Sequence, residues 1–140
     1  MRAQRVLLCS GKIFYELDKV RRESAREDIA IIRLEQLYPL PEKALKSIME
    51  AFPRGTPAFW VQEEPINMGA WSYLNLQFKG ALFGKHSFSV ICRPAAASPA
   101  TGWGSAHKKE QAHLLTDALG KTTITGKPTA DEKQEALLGG

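Results

Sequence analysis

The sequence has little of what would make a function legible at once. Only two cysteines occur in 140 residues, Cys9 and Cys92, and neither belongs to a Cys-x-x-Cys pair. A zinc or redox motif of that spacing is therefore excluded, and both are read as buried thiols of a reducing compartment. No apolar run approaches the ~18 residues that a membrane-spanning helix needs. There is no Gly-x-x-x-x-Gly-Lys-Ser/Thr phosphate loop, and no serine stands in a Gly-x-Ser-x-Gly elbow, since Ser98 lies in Ala-Ala-Ala-Ser-Pro-Ala. Aromatic residues make up 9% and are not interleaved with the lysines and arginines, which are dispersed among acids. A formal net charge of +4 thus gives no reason to expect nucleic acid. Of three histidines, His107 and His113 are six apart rather than four and His86 stands alone, so all three read as surface or capping residues. Met1 to Arg5 leads straight into an apolar run, and no secretory leader is expected.

What is present is an alternation of two periods. Val6-Leu7-Leu8-Cys9 is wholly apolar, the pattern of a strand covered on both faces. After Ser10-Gly11 the period changes, with Ile13, Leu17 and Val20 at helical spacing. Ile29 to Leu34 repeats the buried strand. Pro41 is placed to open a second helix, with Ala44, Leu45, Ile48, Met49 and Phe52 as its apolar stripe. A third strand, Ala58-Phe59-Trp60-Val61, precedes a third helix beginning near Gly69, with Trp71, Leu74, Phe78 and Leu82 on one face. The fourth strand is Phe88 to Cys92, and Ser105 is read as the N-cap of a last helix carrying Leu114, Leu115, Ala118 and Leu119.

These elements predict an α/β fold: an open, mainly parallel sheet of about four strands in the order 2-1-3-4, with helices on both faces. Residues 1–120 form this domain. Residues 121–140 form a polar tail in which Thr129 and Glu132 have capping-box spacing for a short helix, expected to be loosely attached.

In such a fold every strand-to-helix loop emerges at the carboxyl edge of the sheet. That edge gathers Ser10, Gly11 and Lys12 opposite Gln62, Glu63 and Glu64, with Arg93 and Ser98 nearby. Ser10-Gly11-Lys12 at a helix N-terminus reads either as an anion cradle or as a tight structural turn. Glu63 and Glu64, as neighbours at a strand end, point to opposite faces, which argues against a shared proton. One is expected to pair with Arg93 or Arg33 and the other to face a partner. Arg93 itself is an anion anchor or half of an internal salt bridge.

Four blocks carry a resemblance. They are Val6 to Lys12; Ala30 to Pro39; Trp60-Val61-Gln62-Glu63-Glu64-Pro65 with Asn67-Met68-Gly69-Ala70-Trp71; and Arg93-Pro94-Ala95-Ala96-Ala97-Ser98-Pro99-Ala100-Thr101-Gly102. In this order, over about Arg5 to Leu119, the chain resembles the C-terminal domain of the thiamin-diphosphate-dependent first component of the 2-oxoglutarate dehydrogenase complex. The resemblance implies a transketolase C-terminal-like fold. It also implies a parent that decarboxylates 2-oxoglutarate with thiamin diphosphate and magnesium and passes succinyl to a lipoyl arm of the second component. The cofactor machinery lies elsewhere in that parent: the diphosphate-and-magnesium motif begins Gly-Asp-Gly, and this chain contains no Gly-Asp pair. The chain alone is accordingly expected to bind no cofactor and to be inactive.

Its implied partners are the parent's catalytic domains, a second copy of the parent and, indirectly, the lipoyl-bearing component. An adenine-nucleotide or acyl-coenzyme A effector at Ser10, Lys12 or Arg93 is a further expectation. The implied compartment is the cytoplasm, or the mitochondrial matrix for a eukaryotic parent. A parent acting on 2-oxoadipate is not separable from one acting on 2-oxoglutarate. The rival reading is a free-standing module that binds a nucleotide or a protein at the same edge. Arg5-Val6 begins a strand with almost nothing before it, as if the chain entered from elsewhere. A domain taken from a larger enzyme should also expose an apolar patch that a free monomer would keep small.

Overall fold

The computed structural model describes residues 3–93 and 104–120, with the side chains of 104–107 left aside. The elements are β1 (Arg5–Cys9), α1 (Ile13–Glu23), β2 (Ile29–Arg33), α2 (Glu42–Met49), β3 (Ala58–Pro65), α3 (Trp71–Phe78), β4 (Ala81–Leu82), β5 (His86–Arg93) and α4 (Gly104–Leu119). They build a sheet in the order β2-β1-β3-β5-β4. The first four in that order run parallel, with Val6 beside both Ala30 and Ala58, and Ala58 beside Phe88. The expected order is thus observed, β5 being the strand expected fourth.

Alternation along the strands sorts the core into two layers. Val6, Leu8, Ala58, Trp60 and Phe88 face one side, where Leu45 and Met49 of α2 and Leu74 of α3 cover them. Leu7, Cys9 and Val61 face the other, under Ile13 and Leu17 of α1 and Leu114, Ala118 and Leu119 of α4. Both faces of a parallel sheet must be covered, and here each receives two helices.

Several expectations change. Among the described residues the sheet has five strands, because Leu82 does not continue the third helix. Lys79 and Gly80 both adopt left-handed backbone (φ 52° and 85°), which ends α3. Leu82 then emerges in β4, antiparallel to β5, and is fully buried there. The stripe on α2 is narrower than expected: Leu45 and Met49 are buried, whereas Ala44 and Ile48 are exposed. His86 is not at the surface but buried, its Nδ1 2.9 Å from the Thr56 carbonyl oxygen. Cys92 is half-buried rather than buried. α4 starts at Gly104, so Ser105 lies inside it and not at its cap. The expected loop at Ser98 and the tail after Gly120 lie outside the described residues.

α1 ends in a Schellman arrangement, with Arg26 N–H on Arg21 O (3.0 Å) and Ala25 N–H on Arg22 O (3.1 Å). The left-handed position that glycine usually fills is held by Ala25, at φ 51°.

Candidate functional site

β3 runs four residues beyond its expected end, and that extension shapes the carboxyl edge. Val61 pairs with Ile91, but the next pairing is Pro65 with Arg93, so Gln62, Glu63 and Glu64 sit in a bulge. A bulge lifts side chains out of ladder geometry and re-aims them. Between the ends of β1 and β3, where the strand order reverses, lies a cleft of about 480 Å³. Ser10, Gly11, Gln62, Glu63 and Glu64 all line it. Lys12 does not: it is exposed at the N-cap of α1 and makes no side-chain cap bond.

Gln62 is 3% exposed and its amide is used internally. Its Oε1 accepts from Trp60 Nε1 (2.9 Å) and from the Trp71 backbone N–H (3.1 Å). Its Nε2 donates to the carbonyls of Met68 (2.8 Å), Pro65 (3.0 Å) and Glu64 (3.1 Å). One side chain thereby ties β3, the following loop and the first residue of α3 together. The bonds satisfy backbone groups that a buried loop would otherwise leave orphaned.

Glu63 turns to the opposite side, toward α4. Gln111 Nε2 donates to Glu63 Oε1 (3.1 Å) and to Glu16 Oε2 (2.8 Å), and Gln111 Oε1 accepts from Arg93 Nη2 (2.9 Å). The expected pairing of Glu63 with Arg93 is therefore indirect, through a glutamine that carries no charge. Arg93 is 6% exposed, with Nε 3.6 Å from Glu110 and, among the described residues, no hydrogen-bond partner on Nε. It lines cavities of about 530 and 370 Å³ beside α4 and not the Ser10 cleft. Arg33 takes another course: it donates to Tyr15 Oη (3.1 Å) and lies over the Phe14 and Tyr15 rings. Glu64 is exposed.

Gln111 is the residue that sequence reasoning missed. A signal existed, because Gln111 falls at i, i+3 and i+7 with Leu114 and Ala118, a polar position within the inward stripe of α4. His113 is exposed and 3.5 Å from Asp117. Burial pushes the Cys9 thiol up to about 11 and raises that of Cys92 as well, so neither is a thiolate nucleophile near neutral pH.

The described residues do not fit thiamin diphosphate and magnesium. Among the described residues no three His, Cys, Asp or Glu side chains are grouped to hold a metal, and the sequence has no Gly-Asp pair. The cleft offers a buried amide already bonded, two carboxylates and one hydroxyl, a set suited to fixing loops.

Comparison with known proteins gives one family, described as "2-oxoglutarate dehydrogenase C-terminal", over residues 1–119. The chain is 44% identical over 116 residues to the "2-oxoglutarate dehydrogenase E1 component" of Haemophilus influenzae, covering 83% of this chain and 12% of that protein. It is 46% identical over 121 residues to the protein of the same name from Brucella anthropi, covering 84% and 12%. To the "Multifunctional 2-oxoglutarate metabolism enzyme" of Mycolicibacterium vanbaalenii it is 41% identical over 120 residues, 85% of this chain and 10% of that one. The chain thus spans only a tenth to an eighth of the length of these relatives.

Proposed function

Because this chain belongs to the 2-oxoglutarate dehydrogenase C-terminal family, we propose that it serves as the non-catalytic C-terminal domain of a 2-oxoglutarate dehydrogenase first component. The observation that carries the reading is coverage: residues 1–119 match the family, yet they correspond to only 12% of the E1 relatives. Residues 1–120 are read as the packing domain and 121–140 as an appended tail. The parent performs thiamin-diphosphate-dependent oxidative decarboxylation of 2-oxoglutarate and succinyl transfer to lipoyl. This domain packs on the catalytic domains and supports the dimer; the lipoyl-bearing component is met only through them. The bacterial relatives favour the cytoplasm as compartment, and no described helix is long and apolar enough to cross a membrane.

An immunoblot of source-cell extract, probed with antibody to this domain, tests the reading. A band several times larger than a 140-residue product is the expected result. A band at the size of this chain alone would overturn it and leave the free-standing module. The cleft of about 480 Å³ at Ser10, Gly11 and Glu63 would then be the place to look for a ligand. Calorimetric titration with mononucleotides and acetyl-coenzyme A decides that second reading: no heat at millimolar ligand removes it.

A further inference from the structure

Charged side chains are spread over the described surface, but one exposed strip has none. Residues 65–78 contain no Asp, Glu, Lys, Arg or His in a chain that is 24% charged, and residues 36–41 contain none either. The fold brings the two runs together, with the rings of Tyr38 and Tyr73 edge to face at 6.2 Å. Tyr38 is 83% exposed, and Leu76, one turn on from Tyr73, is 76% exposed. The neighbouring outward residues of α3, Ser72, Asn75 and Gln77, are neutral. A hydrogen bond from Gln77 to Glu42 joins the end of α3 to the start of α2.

Among the described helices, α3 alone carries no charge. The outer surface of α1 carries Lys19, Arg22 and Glu23, and that of α4 carries Lys108 and Lys109, all exposed. A helix whose outer face meets water normally bears such charges. Loss of charge together with exposed aromatic and aliphatic side chains is the composition of an interface core.

We propose that the Tyr38–Tyr73–Leu76 strip is the face on which the rest of the first-component polypeptide packs, through an equally uncharged surface of the same chain. This rests on the packing-domain reading above and adds which face is used. Size favours a tethered occupant over a second copy. A stable dimer buries roughly 800 Å² on each partner, more than three side chains supply. A covalently linked domain docks at high effective concentration and needs less. The relatives carry about seven-eighths of their length outside the matched segment, so the occupant has a source.

The test uses a chimera in which the aligned segment of the Haemophilus influenzae relative is replaced by this chain, with release of the domain by limited proteolysis as the readout. Leu76→Arg should speed release about tenfold, the effect of losing an interface anchor, while Glu23→Arg on α1 should not. The melting curve of the isolated chain checks that Leu76→Arg leaves the fold intact; if it does not, Tyr38→Ser in the loop gives the same readout. Equal release from substituted and unsubstituted chimeras would overturn the choice of face and leave the packing reading standing. An unsubstituted chimera cleaved as fast as one joined by a long flexible linker would overturn both. Dimerisation of the isolated chain, abolished by Leu76→Arg, would assign the strip to a second copy and overturn the proposal.

Discussion

The side-chain oxygen of Gln62 occupies the space that a Cβ on Gly69 would need. A methyl there would lie 2.9 Å from Oε1 and 3.1 Å from the amide carbon, at a residue whose φ of 73° already disfavours any L side chain. Gly69 is therefore required twice, once by backbone conformation and once by the amide packed against it.

Gly69→Ala should destabilise the chain by about 2 kcal/mol. Gln62→Ala should cost about 3 kcal/mol, chiefly by leaving the buried Trp60 N–H and the loop carbonyls unpaired. Because the second change opens the space that the first one fills, the double variant should be less destabilised than the sum. Urea denaturation of the four proteins measures this, and strict additivity would contradict the contact.

Gln111 bridges Arg93, Glu63 and Glu16, so its removal brings two carboxylates together with no donor between them and takes a partner from a buried guanidinium. Gln111→Leu should cost about 2 kcal/mol near neutral pH. Adding Glu63→Gln should recover part of that loss. A double variant no more stable than Gln111→Leu would mean that the bridge does not relieve charge.

Arg26 holds Asp28 with two bonds, Nε to Oδ1 (2.8 Å) and Nη2 to Oδ2 (2.9 Å), in a largely buried pair. These bonds hold the Asp28 carboxyl below its usual value. The folded state thus prefers the ionised acid. Its contribution is complete above the unfolded value of about 3.9 and is lost as pH falls through the lower folded value. Urea midpoints from pH 6 down to pH 2 should fall for the parent chain, and the fall should be shallower for Asp28→Asn.

Cys9 is fully buried and its thiol is pushed up to about 11, whereas Cys92 is half-buried. A disulfide reagent at pH 8 should therefore modify Cys92 slowly and Cys9 only on unfolding. Cys92→Ser should remove the native-state reaction. Rapid labelling of Cys9 in the native chain would show that the β1 layer opens.

Ala25 sits at φ 51° in the cap of α1. Ala25→Gly should raise stability by about 1 kcal/mol, since relief of the left-handed strain outweighs the added chain entropy of glycine. A lowered thermal midpoint would argue against strain at this cap.

Much of the fold was legible because it depends on local period. The runs Val6–Cys9 and Ile29–Leu34, each followed by helical spacing, specify parallel strands with crossovers, and handedness then leaves few orders for the sheet. The Ser10 to Glu64 juxtaposition at the switch point follows from that order alone. The limits are equally specific. Leu82 has helical spacing from Leu74 and Phe78, and only the left-handed turn at Lys79-Gly80 sends it into a strand. Ile48 has the pattern of a core residue, but the eight-residue helix α2 buries only Leu45 and Met49.

The sequence by itself determined the α/β class, the strand order and the family, because all three rest on the order and spacing of apolar runs and short motifs along the chain. Only the tertiary structure decided what the polar groups do. Whether Gln62 meets a ligand or a loop, whether Glu63 reaches Arg93 directly or through Gln111, and whether uncharged segments far apart in the chain form one surface are questions of distance between elements. Local sequence sets which way a side chain leaves its own backbone; what it meets there is set by packing.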